Sequence, residues 1–332
     1  MKKAISFIVS TFLIVGTMIP AALAFPDVPN THENYLAIEF LSGKGVVSGY
    51  EDGTYKPAQL VNRVEALKVI LEGNGIQISE EFASIPFSDV TASDWFTKYV
   101  MSAKALGIVD GNPDGTFAPA RDVAKAEFLK MLLNTNGFKT EKWEGAQIFD
   151  DVPADEWYTP FMNYAGQAGL VRKDANNNVY PAQALNRGEV AEIMYMLSII
   201  LNGSNTQFLI SEGEKQMAQI DIYVNDNNPL AAKRASELGV DMTQQAYKNM
   251  PEDDVVLGAA KIARAYDFVM NAYLFAIQQN WPEVENWGNQ AIAKATEAWE
   301  VNNELQPIAK HIKNRANEIM AQIPSETIAQ GQ

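Results

Sequence analysis

The sequence predicts an all-α protein: a pseudo-threefold bundle of helix-loop-helix repeats, followed by an antiparallel helical bundle or hairpin stack. Three observations carry this. A 62-residue period occurs three times, apolar residues inside each copy recur at helical spacing, and composition shifts to Ala, Gln, Asn and Glu after Asn202-Gly203-Ser204-Asn205.

The chain opens with Lys2 and Lys3, an apolar run to Ile19, Pro20 and then Ala22-Leu23-Ala24. This is the layout of a secretory signal peptide over 1–24, and cleavage after Ala24 is expected. The mature chain would start at Phe25 with 24 basic and 41 acidic groups. No later segment is long and apolar enough to span a membrane.

Phe25-Pro26-Asp27-Val28, Phe87-Ser88-Asp89-Val90 and Phe149-Asp150-Asp151-Val152 stand 62 residues apart. The same offset joins Gly45, Gly107 and Gly169, then Pro57, Pro119 and Pro181, and Glu65, Glu127 and Glu189. It also joins Arg63 to Lys125 and Arg187, and Trp95 to Trp157. The repeats are 25–86, 87–148 and 149–203, with a separate helical domain over 204–332. In the second copy a helix carries Tyr99, Ala103 and Leu106 and stops at Gly107. A turn-rich stretch from Ile108 to Pro119 follows, and a second helix starts near Asp122 and buries Phe128, Met131 and Leu132. One such hairpin cannot cover its own apolar stripe, so the copies pack on one another.

Asn62-Arg63-Val64-Glu65 and Asn186-Arg187-Gly188-Glu189 have the spacing of a capping box, so Glu65, Glu127 and Glu189 are read as structural caps. A cation in a helix's first turn opposes the dipole by ~0.3–1 kcal/mol, so local stability does not explain Arg63, Lys125 and Arg187. Two readings stand at this point: an anion pocket shared by the cation and the orphan N–H groups of the helix start, or three solvated surface cations.

The order Phe-x-Asp-Val, Asp-Trp, Gly-x-x-Asp-Gly-Thr-(Tyr/Phe)-x-Pro and Arg-x-Glu resembles the S-layer homology domain, in a set of three over about 25–203. The resemblance implies a three-pronged helical bundle that binds secondary cell-wall polysaccharide, commonly through a terminal pyruvylated sugar, and anchors an exported protein at the bacterial surface. It makes Arg63, Lys125 and Arg187 the expected carboxylate partners, Arg63 first. Asn62, Asn186, Trp95, Trp157, Asp27, Asp89 and Asp151 are further candidate ligand contacts. Three departures stand out: Lys125 replaces arginine beside Ala124, which cannot cap; the third copy carries Lys173-Asp174-Ala175-Asn176 in place of the loop's Asp-Gly; and Glu33 stands where the other copies have Trp.

Read from the residues alone, Trp95 and Trp157 fall in the first turn of their helices, where core packing is the default and sugar stacking the alternative. Asp27, Asp89 and Asp151 read first as turn or cap residues. Asp110, Asn112, Asp114 and Gly115 match the first half of a calcium loop, but Arg121 stands where a bidentate Glu is needed, so the turn reading prevails and no metal is expected.

In the last domain, Ala259, Ile262, Ala263, Tyr266, Met270 and Tyr273 form one helical stripe and Val284, Trp287, Ala291, Ala295 and Ala298 another. Asp253 or Asp254 caps the first of these helices, Pro282 suits the first turn of the second, and a further helix runs from about Gln306 to Ile323. A hairpin is expected over 223–249 around Asn227, Asn228 and Pro229. The pattern faintly suggests tetratricopeptide hairpins, without a clean 34-residue period. This domain is expected to meet a protein partner or to self-assemble.

The net charge of −15 argues against nucleic acid as a partner. The lack of cysteine excludes disulfides and thiolate chemistry, and His32 and His311 alone supply no histidine cluster. No cofactor motif or catalytic constellation stands out, and a noncatalytic role is expected. An envelope-tethered glycan hydrolase is the alternative, which would need two convergent carboxylates in 205–332.

Overall fold

The computed structural model describes residues 25–138 and 147–324. The expected signal peptide lies outside them. The described residues hold eleven α-helices and no strand, and the chain divides into two compact units between Ile200 and Leu201.

The first unit is built from three helix pairs: α1 (Tyr35–Gly43) with α2 (Arg63–Gly73), α3 (Thr97–Ala105) with α4 (Lys125–Thr135), and α5 (Thr159–Gln167) with α6 (Arg187–Leu201). The second helix of each pair buries more apolar residues than the first. Leu67, Leu129 and Ala191 occupy one register position and are all fully buried, as are Ile70 and Leu132 one turn later. Burying each leucine is worth ~1.5–3 kcal/mol. The second helix of the middle copy starts at Lys125 rather than near Asp122, because residues 122–124 are extended and pair with neighbouring repeats. Leu106 caps α3 and is exposed.

The threefold relation is closed by the backbone. Val61 N–H donates to the Leu185 carbonyl (3.0 Å), Leu185 N–H to Val123 (3.0 Å) and Val123 N–H to Val61 (2.9 Å). The three residues are 62 apart and buried, so these bonds form a ring on the pseudo-symmetry axis.

Asp27, Asp89 and Asp151 are clips across the repeat, which corrects the local-turn reading. Asp27 accepts the N–H groups of Tyr55 and Lys56 (2.8 and 2.7 Å), and Asp89 those of Phe117 and Ala118 (2.7 and 2.8 Å). Asp151 does the same for Val179 and Tyr180 (2.9 and 2.6 Å). The second residue of each pair, Lys56, Ala118 or Tyr180, has φ between 54° and 58° and precedes a proline. That left-handed backbone is costly for a residue with a Cβ, and the charge-assisted bonds of the clip hold it. Burial alone would raise the carboxyl of Asp27, yet the two N–H groups keep it below its ordinary 3.8.

The second unit stacks α7 (Thr206–Asn225), α8 (Pro229–Asn249), α9 (Asp254–Ile277), α10 (Trp281–Val301) and α11 (Gln306–Met320), with a 3₁₀ turn at Asn303–Leu305. The helix over 206–222 was not foreseen; the turn at Asn227 and Pro229 was. The last helix ends three residues before the expected Ile323. Asn205, Asn228 and Asp253 accept first-turn N–H groups as N-caps. The α9 stripe is buried except for the half-covered Tyr273, and alanines dominate the seam with α10. Small residues let the helices approach closely: a Cβ on Gly258 would lie 2.6 Å from Leu305.

Candidate functional site

The candidate sites are three grooves, each opening where a second helix starts against the loop of the next repeat. The orphan N–H groups expected there are already bonded. Arg63 and Val64 donate to the carbonyls of Arg121 and Pro119, Lys125 and Ala126 to Gln183 and Pro181, and Arg187 and Gly188 to Gln59 and Pro57. Any anion in these grooves therefore meets side chains, not helix N-termini.

The caps are as expected in two copies. Asn62 accepts from Glu65 N–H and Glu65 from Asn62 N–H (2.9 and 3.1 Å), and Asn186 and Glu189 repeat the pattern. The side chains of Asn62 and Asn186 are thus engaged with the helix start. In the middle copy Ala124 offers no acceptor, and Glu127 takes its N–H (3.2 Å) along with a bidentate Arg121 (2.6 and 3.1 Å). Burial alone would raise the Glu127 carboxyl, but Arg121 holds it low.

All three cations are at least partly buried in a repeat seam, so the solvated-surface reading fails. Arg63 is 8% exposed, stacks 4.8 Å over the Phe117 ring and lies 3.5 Å from Glu127. Its Nε is buried without a hydrogen-bond partner, an arrangement that costs ~1–3 kcal/mol unless a further group satisfies it. Lys125 donates to the Val179 carbonyl (2.6 Å), and burial lowers its pKa. Arg187 donates to the carbonyls of Tyr55 and Ser48 (2.8 and 2.9 Å) and stacks on the rings of Tyr55 and Tyr50 (4.3 and 5.0 Å).

A cavity of about 150 Å³ opens beside Arg63, with Asp110, Glu127, Lys130 and Trp157 on its walls. Trp157 and Trp95 lie two residues before α5 and α3 and are 52% and 56% exposed, which overturns the core-packing default. The chain leaves an apolar indole in water at both positions, each beside a lysine: Lys130 is 5.6 Å from the Trp157 ring and Lys68 is 6.0 Å from the Trp95 ring. These two lysines were missed from sequence. The same 62-residue offset that linked the arginines joins them, and continues to Glu192.

The calcium-like loop is a turn. Asp114 accepts from the Thr116 N–H and hydroxyl (3.0 and 2.6 Å), and no cluster of potential metal ligands exists among the described residues.

In the second unit a cavity of about 130 Å³ is bordered by Asp221, Tyr266, Arg315 and Glu318. Arg315 pairs with both carboxylates (2.9 and 3.4 Å), and His311 bonds to Asp221 (2.9 Å), tying α11 to α7. The two acids are thus tied to one guanidinium.

Residues 24–67, 86–129 and 148–191 each match the S-layer homology domain model. The chain is therefore a protein with three tandem S-layer homology domains, a class located at the bacterial cell surface. It is 27% identical over 265 residues to S-layer protein EA1 of Bacillus anthracis, covering 78% of this chain and 28% of that protein. It is 28% identical over 198 residues to an S-layer protein of Bacillus licheniformis, covering 58% and 22%. It is also 31% identical over 165 residues to an amylopullulanase of Thermoanaerobacterium thermosulfurigenes, covering 48% and 9%. The chain thus matches less than a third of the length of each of these relatives.

Proposed function

We propose that the protein is a noncatalytic anchor whose three repeats hold it to a carboxylate-bearing secondary polysaccharide of the cell wall, with a pyruvylated sugar as the ligand group. The helical unit then meets a protein partner or contributes to a surface layer. The observation that carries this reading is the pairing of a seam-held arginine with a lysine and an exposed indole at a groove. Two cations suit a carboxylate, and an indole face suits the apolar face of a sugar ring. The S-layer names of two relatives support the surface role. The match to the amylopullulanase spans about half of this chain and only 9% of that protein, which supports a module shared among otherwise different proteins.

Titration of the full chain with purified wall polysaccharide, followed by calorimetry, tests the reading. Binding is expected, and the variant carrying both Arg63→Ala and Arg187→Ala is expected to lose at least tenfold in affinity. Unchanged binding by a folded double variant contradicts it.

A further inference from the structure

We propose that the face shared by α7, α9 and α11 is a docking groove for a protein segment that carries one apolar anchor side chain flanked by basic residues. The inference rests on the reading that the helical unit meets a protein partner, and it is independent of what the repeats bind.

The second unit is itself repetitive. Each of the five buried residues of α10, from Val284 to Ala298, stands 52 positions after a buried residue of α8, from Ala232 to Ala246. The turns ahead of these two helices repeat at the same offset. Asn227 and Gln279 both have φ 57°, and Asn228 and Asn280 donate to the carbonyls of Tyr223 and Phe275 (2.8 and 3.0 Å). The pairs α7–α8 and α9–α10 are therefore two copies of one helical hairpin, with α8 packed on α9 and α10 on α11. Stacked hairpins of this kind curve, and their concave side is the surface that binds other molecules. The stack ends in α11 with Lys310, Asn314 and Asn317 exposed, a polar outer line of the sort that stops a further copy from adding on.

The cavity of about 130 Å³ lies where α7, α9 and α11 come together, on the side formed by the first helix of each hairpin. Val224, Val269, Tyr273 and Ile319 give it an apolar lining. One turn beyond Tyr273, Ile277 is 55% exposed and prolongs the apolar track along α9. An apolar cavity of ~150 Å³ takes a benzene ring, so this one suits a single branched or aromatic side chain.

The rim selects the charge of what flanks that anchor. Asp221 and Glu318 border the cavity with Arg315, whose guanidinium is engaged by both of them (2.9 and 3.4 Å). His311 holds the second oxygen of Asp221 (2.9 Å). With the imidazole neutral the rim carries one net negative charge. Glu318, with 64% of its side chain exposed, is the carboxylate left open to an incoming cation. Residues 204–332 as a whole hold 10 basic and 17 acidic side chains, which draws in a partner of the same sign from a distance.

The test is fluorine NMR of the full chain titrated with acetyl-Lys-(4-fluoro-Phe)-Lys-amide. Saturable binding is expected, at least fivefold weaker for the same peptide with Glu in place of both Lys, and acetyl-Lys-Ala-Lys-amide in excess should not displace the probe. Val224→Trp fills the cavity from a half-buried position and is expected to weaken binding at least tenfold. Glu318→Lys lies at an exposed side chain, leaves the fold intact and should weaken it at least fivefold. No saturable binding, equal binding of the Lys and Glu peptides, displacement by the Ala peptide, or unchanged affinity in Glu318→Lys each overturns the assignment. Retention of the same preparations on wall sacculi reads the anchoring separately, so loss of peptide binding with retention intact counts against this groove alone.

Discussion

Arg187 lies against Tyr55 of the first repeat, its guanidinium carbon 4.3 Å from the ring centroid and its Nε donating to the Tyr55 carbonyl at 2.8 Å. The Tyr55 hydroxyl in turn donates to the Arg187 carbonyl at 3.2 Å. The residue that closes the last repeat onto the first is thus also the cation of a groove. One side chain therefore serves both the candidate groove and the closure of the repeats. Arg187→Ala is expected to cost about 2 kcal/mol of stability, because a charged hydrogen-bonded group is worth ~1.5–3 kcal/mol. Arg187→Lys keeps the charge but loses the planar fork, and should recover only part of this. Urea unfolding checks both; an unchanged midpoint in Arg187→Ala contradicts the seam role.

Asp89 should matter to the fold rather than to a ligand, since its two oxygens hold the N–H groups of Phe117 and Ala118. Asp89→Ala leaves those donors without their acceptor, and a loss of about 2–3 kcal/mol is expected. Calorimetric melting of the variant measures it.

Ala118 has φ 58°, a conformation glycine adopts without a Cβ clash. Ala118→Gly is therefore expected to raise stability by about 0.5–1 kcal/mol despite the added freedom of the unfolded chain. A lower urea midpoint would show that the left-handed position is not under strain.

Glu214 on α7 has a buried Oε1 without a hydrogen-bond partner, and burial pushes its pKa from 4.5 up to about 7. The unfolded chain releases this proton near 4.5 and the folded chain keeps it to about 7. The stability the protonated group contributes is complete below the lower value and is lost as pH rises through the upper one. Glu214→Gln should flatten that decline and melt higher than the unaltered chain at pH ~8. Identical pH profiles would contradict it.

The repeat architecture was legible because the 62-residue period marks the same positions that close the threefold ring, Val61, Val123 and Leu185 among them. The capping pairs Asn62–Glu65 and Asn186–Glu189 were legible for the same local reason. Asp27, Asp89 and Asp151 were misread because their partners lie 28 and 29 residues away, beyond any local motif. Trp95 and Trp157 were misread because hydrophobicity alone predicts burial, whereas their exposure follows from a register two residues ahead of the helix. The free helix N-termini were misjudged because the next repeat's carbonyls reach them only once the ring closes. Lys68, Lys130 and Glu192 lay in plain view of the period, but nothing in a single copy distinguishes them from solvated side chains.

Co-sedimentation with purified cell-wall sacculi tests the proposed anchoring to the wall polymer, comparing intact sacculi with sacculi chemically stripped of their secondary polymer. The full chain is expected to pellet with intact sacculi, to stay in solution with stripped ones, and to be released from intact sacculi by free wall polysaccharide. Equal retention on both kinds of sacculi would contradict it.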